Sequence, residues 1–550
     1  MLIVPNSKVK LIKNPLKLDS NNEMMFATAT AQYNYFTSLP KLEFDNLTYV
    51  RKDDILRIPT DETGVGTTFE KLLQYNFCMY QNTAFGNKWF YAFIDEIKWI
   101  NPSLTEIHLT TAYYQTWQFD LVFMDSFIER EHVNDDTIGL HTLPEDVELG
   151  EYINQEVPLL EQTNINFIDV SGTHNNCVVF AITESGLGVT LPGSSSYNGV
   201  FSGLYYITFP TFNDAYSYII ERQRHISEDN IIAAFMVPYA LATQGSGFQW
   251  LTYTRDSLTI TYAWIQEVNY PITLKSFSIT KPSVLDKNYS PKNKKLLTYP
   301  YIFMNISNNA GSVNNYMYEY FTNINGTSRN DCPFQIMGAI GVGCSIKLLP
   351  IHYKQGKTAL NTNESNWIEG LDAGKLPTCT WTNDSFTNYL TQNAVNIPLN
   401  ILGSTAEIVK GFTGDFKSVG SGLSGIASQI SQIYQHSTVP ATGKGGVNQG
   451  DLIFGNKMSY SIYKMSIKEE NAKIIDGFFN MFGYKVNRLG KPHLHARTYY
   501  DYCKTIDINI EGDVPETDLE EIRKLFNRGI RFWHDTSKYL DFSVTNSIIT

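Results

Sequence analysis

The segment Gly411–Gln435 places the strongest limit on the fold, because it is long, soft and almost free of charge. It is rich in Gly, Ser and Ala, and the charged residues of the wider range Gln392–Thr442 are Glu407, Lys410, Asp415 and Lys417. Such a segment cannot bury a dense core, and its glycines interrupt it too often for an ordinary transmembrane helix. It is also less polar than a solvated linker. The pattern indicates a plug, a membrane-inserting loop or an assembly contact, and the alternative is a disordered surface loop or tether.

The composition of the whole chain favours a β-rich protein. A length of 550 residues is enough for roughly three or four folding units. The charged fraction of 18% lies below the usual value of about 25%, whereas 34 Tyr and 32 Phe are a large aromatic content. Tyr and Phe suit pleated, half-buried surfaces, and Tyr is enriched where proteins meet. We therefore predict a mainly β fold with some α (α+β), built from several domains with much surface committed to partners.

The charge and the cysteines exclude some protein classes. A net charge of −12 argues against a general nucleic-acid-binding protein, although a mildly acidic channel would let DNA slide through it. The apolar start precedes the first lysines, and the longest apolar run, Ile231–Ala242, is too short to span a bilayer, so we expect a protein that is soluble when made. Without Cys-x-x-Cys spacing, buried free thiols are predicted for Cys78, Cys177, Cys332, Cys344, Cys379 and Cys503.

Composition shifts divide the chain into five predicted segments. They are an N-terminal β-rich domain (1–158), a middle β-rich unit (159–290), a second β-rich block (291–392), the soft loop (393–450) and a C-terminal α+β segment (451–550). In the first segment, a turn at Asn101–Ser103 is predicted to join strands Lys88–Trp99 and Thr105–Thr111. Further predicted strands are Gln118–Met124, Phe127–Val133, Asn230–Ala242, Leu251–Val268, Met458–Ile467 and Ala496–Ile510.

Helix signals are strongest near the C-terminus. Asp513–Asn527 has acidic residues in its first turn and is stopped by Gly529. Glu469–Phe482 is amphipathic and is followed by Gly483, a candidate left-handed cap. The other predicted helices are Asn213–Ser227 with Asn213 as N-cap, Asp384–Gln392, and Ser418–Tyr434 within the soft loop.

Enzyme signatures are missing from the sequence. It contains no His-Glu-x-x-His, no Gly-x-Ser-x-Gly and no Walker loop. His493 and His495 could share one face of a strand, but the sequence offers no third ligand nearby, so they are interpreted as surface histidines. In Glu129–His132 the pattern favours cross-strand ion pairs at an interface, and Asp135-Asp136 favours a turn over a cation site. We predict no enzyme activity, no cofactor and no metal site.

Several aromatic strings resemble a family of phage tail proteins. They are Gln32–Phe36 (QYNYF), Tyr80–Phe93 (YQNTAFGNKWFYAF), Gln115–Asp120 (QTWQFD), Ser126–Val133 (SFIEREHV), Lys295–Tyr301 (KLLTYPY), Phe482–Pro492 (FGYKVNRLGKP) and Leu519–His534 (LEEIRKLFNRGIRFWH). In this order and spacing they resemble the distal tail knob (tail tube) proteins of the small, short-tailed phages that prime DNA replication with protein, the Salasmaviridae and Rountreeviridae. The resemblance covers mainly residues 33–133 and 458 to the end.

The resemblance implies a structural virion protein at the tip of the phage tail, made in the host cytoplasm. Six copies would form a ring whose N- and C-terminal regions build a tube, in contact with other tail proteins such as the lower collar or tail tube. Genomic DNA would leave through the lumen, and the soft loop would plug the tube and then help to penetrate host membrane lipid. The loop residues expected to do so are Ile397, Leu399, Ile401, Leu402, Ile408, Val409, Phe412, Phe416, Leu423, Ile426, Ile430 and Ile433.

Two other classes remain open from the residues alone. A receptor-binding tail protein (adhesin) would share the β-rich, Tyr-rich surface but would not need the soft loop. A tail-borne cell-wall hydrolase would need a defined carboxylate pair or metal site, which the sequence does not offer. The aromatic residues predicted to anchor the N-terminal β-domain are Trp89, Phe90, Tyr91, Trp117 and Phe119.

Overall fold

The computed structural model describes residues 6–16, 18–19, 21–48, 55–61, 66–154, 164–166, 176–183, 204–225, 231–243, 248–255, 258–265, 272–309, 311–323, 327, 329–341, 343–354, 368–373, 378–380 and 459–549. Strands predominate over helices in these residues, which confirms the mainly β, α+β fold. Unit 1 consists of Met1–Glu148, Pro291–Leu296 and Glu470–Thr550, and unit 2 of Leu149–Ser290 and Leu297–Glu469. The five-segment division of the chain stays a prediction.

The elements follow one another in three groups along the chain. The N-terminal part of unit 1 contains β1 (Ser7–Ile12), β2 (Asn22–Met24), α1 (Ala29–Ser38), β3 (Lys41–Leu47), β4 (Ile55–Pro59), α2 (Phe69–Leu72), β5 (Phe77–Gln81), β6 (Trp89–Asn101), β7 (Leu104–Thr111), α3 (Tyr113–Trp117), β8 (Leu121–Phe123) and β9 (Ser126–Glu131). Unit 2 contains β10 (Tyr152–Asn154), β11 (Asn164–Asn166), β12 (Asn176–Ile182), β13 (Tyr205–Phe209), α4 (Phe212–His225), β14 (Ile231–Pro238), α5 (Tyr239–Ala242), β15 (Leu251–Arg255), β16 (Leu258–Ile265), β17 (Ile272–Thr280), β18 (Ile302–Ser307), β19 (Val313–Tyr316), β20 (Asp331–Gly341), β21 (Gly343–Pro350), β22 (Leu371–Asp372), β23 (Thr378–Thr380) and β24 (Ser459–Ile467). The remaining elements are α6 (Glu469–Phe482), β25 (Tyr484–Gly490), β26 (Tyr500–Ile506), β27 (Ile510–Gly512), α7 (Glu516–Arg528) and β28 (Ile530–Trp533).

Unit 1 combines strands from both ends of the chain. One antiparallel sheet has the order β3-β1-β5-β6-β7-β4, and a second has the order β2-β28-β26-β9-β25. In the second sheet β2 and β28 are parallel and the other neighbours are antiparallel. Buried side chains of both sheets, α3 and α7 form one core, which includes Leu11, Leu109, Trp117, Ile522 and Phe532. The N- and C-terminal sequences therefore fold as one body.

The predicted β6–β7 hairpin is confirmed. On β7 the side chains of Ile107 and Leu109 are buried, whereas those of Glu106 and His108 are partly exposed, as a strand with one apolar face requires. At the turn, the backbone N–H of Ser103 donates to Oδ1 of Asn101 at 2.9 Å. This local hydrogen bond is the reason that an Asn-Pro-Ser sequence ends one strand and starts the next.

The described residues of unit 2 form three sheets, with the orders β10-β24-β18-β19, β15-β16-β13-β12-β14-β23 and β17-β20-β21-β22, and β11 also pairs with β24. Strand β12 lies inside the second sheet and is buried on both faces. Val179 belongs to one core cluster, whereas Phe180 belongs to another, in which it lies 5.8 Å from the Tyr218 ring of α4. Because both faces of β12 are buried, its sequence is a continuous apolar run in which polar residues do not alternate with apolar ones.

The predicted division between residues 290 and 291 is followed by a short segment, Pro291–Leu296, that belongs to unit 1. Two carboxylates accept hydrogen bonds from its backbone. Asp476 accepts from the backbone N–H groups of Lys292 at 2.8 Å and Asn293 at 3.0 Å, and Asp136 accepts from that of Lys294 at 2.9 Å. Backbone donors that no strand would pair are thereby satisfied.

Several predicted bounds require correction. The range Gln118–Met124 is not one strand, because helix α3 and a turn precede the short β8. The predicted strand Asn230–Ala242 ends at Pro238, which lacks an N–H, and helix α5 follows. Helix α4 is capped by Thr211 rather than Asn213, since the Thr211 hydroxyl accepts from the N–H of Asp214 at 3.2 Å.

Near the C-terminus, the predictions are mostly confirmed. Helix α6 spans the predicted residues, and Gly483 caps it with a φ of 64°. Helix α7 begins three residues later than predicted because Pro515 disfavours helical geometry at Val514, and it ends before Gly529 as predicted. The predicted strand Ala496–Ile510 is divided into β26 and the start of β27. The helices predicted at 384–392 and 418–434 lie outside the described residues.

The free-thiol prediction is confirmed for the cysteines whose side chains are described. Cys78, Cys177, Cys332 and Cys503 are buried, Cys344 is partly exposed, and none of the five forms a disulfide. Burial raises the pKa of the Cys177 thiol to about 12, despite a hydrogen bond from Thr208 that opposes the shift. Such thiols are packing residues and are poor nucleophiles at neutral pH.

Candidate functional site

The soft loop lies outside the described residues, together with every predicted plug residue from Ile397 to Ile433. The described chain stops at β23, which pairs with β14, and resumes at β24, which pairs with β10, β11 and β18. Both flanking strands belong to unit 2. Among the described residues, no helix combines the length and apolar character needed to cross a membrane. The loop assignment stays a prediction.

The predicted aromatic anchors of the N-terminal domain differ in burial. Phe90 and Tyr91 are buried on β6, and Trp89 packs partly buried against a neighbouring cluster. Trp117 is 6% exposed, but it lies in helix α3 rather than in a strand. Phe119 is 41% exposed because it follows the helix in a turn, so its assignment as an anchor is wrong.

Trp117 joins the N-terminal and C-terminal parts of unit 1. Its indole N–H donates to Oδ2 of Asp518 in α7 at 2.8 Å, and Asp518 is itself buried. The Phe90 ring meets the indole edge-on at a centroid distance of 5.7 Å, and Nζ of Lys88 lies 3.8 Å from the centre of the indole. One side chain thus combines apolar burial, a charge-assisted hydrogen bond and a cation–π contact.

The Glu129–His132 sequence forms cross-strand ion pairs, as predicted. Glu129 lies 2.8 Å from Nζ of Lys504 on β26. Glu131 is fully buried and accepts from Nε of Arg488 at 2.6 Å and from the backbone N–H of His493 at 3.0 Å. Burial opposes ionisation of Glu131, but its hydrogen bonds outweigh that effect and hold the pKa of the carboxyl below its usual value. Glu131 therefore acts as a fixed anion that holds β25 and the following loop. That the row lies at an interface stays a prediction.

His132 is a buried structural residue. Its Nδ1 accepts from the backbone N–H of Tyr502 at 2.9 Å, so the proton is on Nε2, which donates to the carbonyl of Asn480 at 3.1 Å. Burial is the main reason that the pKa of this imidazole is lowered to about 4. A neutral ring with both nitrogens engaged has no lone pair for a ligand.

Asp135 and Asp136 have different roles. Asp135 accepts from the backbone N–H of Thr137 at 2.9 Å and from its hydroxyl at 2.7 Å, which confirms the predicted turn chemistry. Asp136 is buried, and besides Lys294 it accepts from the hydroxyl of Tyr484 at 2.7 Å. It is therefore a tertiary contact that local sequence did not indicate.

The structure separates the two histidines of the His493-x-His495 motif. His493 lies 3.3 Å from Glu131, whereas His495 lies beside Asp501 and His534, with one potential ligand atom of each of these three residues within 4.8 Å of the others. Nε2 of His534 is 2.8 Å from Oδ2 of Asp501, and the two imidazole rings of this cluster are nearly perpendicular, with centroids 4.2 Å apart. The expectation that no further ligand lies near His495 is therefore wrong. Sequence spacing could not show it, because His534 is 33 residues from Asp501 and reaches it through β28–β26 pairing.

Two family models of phage tail proteins match the chain. A family model described as the N-terminus of the caudoviral major tail protein matches residues 5–122, and a model of the C-terminal domain of the tail knob protein gp9 of Bacillus phage phi29 matches residues 266–547. Tail knob protein gp9 of phage phi29 is 25% identical, with 97% of both chains covered, and that of Bacillus phage B103 is 24% identical, with 100% of both covered. The solved structure of the tail knob protein gp12 of bacteriophage C1 is similar in fold, with a TM-score of 0.63, 16% identity and coverage of 99% of this chain and 100% of that one.

These matches and the two-ended β unit define a structural protein of a phage tail. Because the gp9 model covers more than half of the chain, the chain belongs to the phage tail knob protein family typified by gp9 of phage phi29. It is accordingly a component of the virion that assembles with other tail proteins. The resemblance noted in the sequence is thereby confirmed.

Proposed function

We propose that this tail knob protein forms a six-membered ring that encloses a DNA-conducting tube, and that the soft loop 393–450 plugs the tube and then acts on the host membrane. The observation that carries the proposal is the nearly charge-free Gln392–Thr442 range in a chain of this family. Charged residues are the main obstacle to burial in a lumen or in lipid, because removing them from water is costly. Because the range contains only four charged residues, the free-energy cost of removing it from water is small.

The glycines of the loop support a releasable plug. Each glycine within a helix costs about 1 kcal/mol relative to alanine, so a helix over Ser418–Tyr434 would be only marginally stable. Small residues also let neighbouring backbones approach closely, which suits six copies that meet on an axis. A segment with so little stability of its own can leave the lumen at a small cost in free energy when the tail tip reaches the cell.

One feature of the described residues supports the ring, and the charge of the whole chain supports a DNA-conducting lumen. Strand β6 is long, and its far end carries Trp99, 48% exposed, and Ile100, also exposed. Large apolar side chains at a strand end are suited to burial by a neighbouring copy. The net charge of −12 would weaken adhesion of DNA phosphate to a lumen wall.

The membrane role is tested with dye-loaded anionic liposomes at neutral and mildly acidic pH. The full chain should cause leakage, and a variant lacking Asn393–Gln449 should not. As a matched pair, Ile426→Asp with Ile430→Asp should abolish leakage, whereas Ser424→Asp with Ser428→Asp adds the same charge, keeps the apolar side chains and should retain more of it. No leakage from a well-folded full chain would refute the membrane role and leave the plug.

The ring is tested by mass measurement in solution. Sedimentation of the full chain should show a species of six protomers. Trp99→Gln should shift that species towards smaller ones, whereas Lys98→Gln, next to it on β6, should not. A monomer at every concentration tested would refute self-assembly of the chain alone.

A further inference from the structure

We propose that His495, Asp501 and His534 bind a zinc-type divalent cation, through one imidazole nitrogen of each histidine and the carboxylate of Asp501. The three side chains come from the loop before β26, from β26 itself and from the residue after β28. Two imidazoles and one carboxylate suit Zn²⁺ and neighbouring transition metals, whereas Mg²⁺ and Ca²⁺ prefer oxygen ligands alone.

Asp501 has the properties of a carboxylate that lacks a cation. It is 0% exposed, and among the described residues its Oδ1 has no hydrogen-bond partner. No Lys or Arg of the described chain forms an ion pair with it. A buried carboxylate with an unpaired oxygen is costly unless positive charge lies beside it. A divalent cation held between Asp501 and the two histidines would supply that charge.

The surroundings of Asp501 already orient it as a ligand. Its Oδ2 accepts from the backbone N–H groups of Ala496 at 3.1 Å and Arg497 at 3.2 Å, which fixes the plane of the carboxylate. Hydrogen bonds of this kind to a ligating group are typical of metal centres. In the metal-free form His534 donates its Nε2 proton to Oδ2, and coordination of a cation through Nε2 would require the neutral imidazole to carry that proton on Nδ1 instead.

The cluster can close around a small ion with little movement. A Zn²⁺ ion lies about 2.0–2.2 Å from nitrogen and oxygen ligands, so tetrahedral ligand atoms are roughly 3.4 Å apart. Nε2 of His534 is 2.8 Å from Oδ2 of Asp501, and one potential ligand atom of each of the three residues lies within 4.8 Å of the others. His495 is the exposed member and forms no hydrogen bond with described residues, so its ring can rotate inwards. Because it is exposed, the fourth coordination position would face solvent.

The cation would fasten the C-terminal part of unit 1. It would link the loop that follows β25, strand β26 and the chain just beyond β28, and these three strands belong to the sheet that joins both ends of the chain. A protonated His534 paired with Asp501 is the competing arrangement. It neutralises the same carboxylate without a metal, and it predicts no response to Zn²⁺.

The test uses the full-length chain after treatment with a chelator. Thermal unfolding is followed with added Zn²⁺ or Mg²⁺, and binding stoichiometry is measured by titration with Zn²⁺. At a Zn²⁺ concentration about a hundred times the dissociation constant, the midpoint should rise by roughly 5 °C or more, and Mg²⁺ should leave it unchanged. One equivalent of Co²⁺ should give the visible absorption of a low-coordinate site.

A matched pair of variants decides whether this cluster is responsible. His495→Ala should change the metal-free midpoint little, because the ring is exposed and its described contact is with the His534 ring, and it should lose at least tenfold in Zn²⁺ affinity. His493→Ala, two residues away, should bind Zn²⁺ like the parent. The proposal is overturned if the parent does not bind Zn²⁺, or if His495→Ala binds it as tightly as the parent.

Discussion

Replacement of Trp117 tests how much stability one aromatic residue contributes when it joins the two ends of a chain. Trp117 is almost fully buried in the core of unit 1 and contacts Phe90 and Lys88, with its N–H on Asp518. Truncation of a buried tryptophan to alanine costs about 3–5 kcal/mol through lost apolar transfer and the cavity left behind. We expect Trp117→Ala to reduce the free energy of unfolding by that amount.

A second substitution separates the hydrogen bond from the packing. Trp117→Phe keeps most of the ring but removes the N–H, and a hydrogen bond to a charged group contributes about 1.5–3 kcal/mol. We therefore expect Trp117→Phe to cost roughly half as much as Trp117→Ala. In a double-mutant cycle with Asp518→Ala, the two substitutions should be coupled by a similar energy, because each removes the same N–H···O contact.

The assay is thermal unfolding followed by circular dichroism, at fixed protein concentration because the chain is proposed to form a ring. A cost of 3–5 kcal/mol corresponds to a fall of roughly 10 °C in the midpoint of a domain of this size. Phe119→Ala is the control, since Phe119 is exposed two residues away and its loss should cost about 0.5 kcal/mol or less. The reasoning is refuted if Trp117→Ala unfolds within 1 °C of Phe119→Ala.

Three further predictions concern pH and backbone geometry. Burial raises the pKa of Glu23 to about 8, so between about pH 5 and 8 the folded state keeps a proton that the unfolded state has lost. The free energy of unfolding should therefore fall as pH rises through this range, and Glu23→Gln should reduce that dependence on pH. The low pKa of His132, about 4, has the opposite sign: stability should fall as pH drops from about 6.5 to 4, and His132→Gln should remove that dependence at a cost in absolute stability. Gly483→Ala should lower the free energy of unfolding by several kcal/mol, because a Cβ there would lie 2.1 Å from the Glu131 carbonyl oxygen. At Gly477, within α6, a Cβ would have no neighbouring atom within 4 Å, so Gly477→Ala should raise the free energy of unfolding by up to about 1 kcal/mol.

Each of these predictions has a contrary outcome. Parallel pH–stability curves for Glu23→Gln and the parent would show that Glu23 is ionised in the folded protein. If His132→Gln leaves the fall in stability at low pH unchanged, other titrating groups cause that fall. Equal midpoints for the Gly483 and Gly477 variants would mean that the turn after α6 can shift away from β9 without loss.

The sequence by itself determined the local elements and the family. The β6–β7 hairpin, helix α6 with Gly483 and the end of α7 at Gly529 were predictable, because periodicity, caps and turn residues act within a few positions. The aromatic strings were sufficient to identify the tail knob resemblance. Where local predictions failed, as at the cap of α4, a residue two positions away supplied the same hydrogen bond.

Only the tertiary structure decided which distant residues meet. Trp117 and Asp518 are 401 residues apart, and the pairing of β9 with β25 and β26 brings Glu131 to Arg488. Phe119 is exposed although it is as aromatic as its neighbour Trp117, since burial depends on the direction in which a turn points it. The His495, Asp501 and His534 cluster has the same origin. Local propensity is encoded by a few adjacent residues, whereas strand register and core contacts depend on the packing of the whole unit.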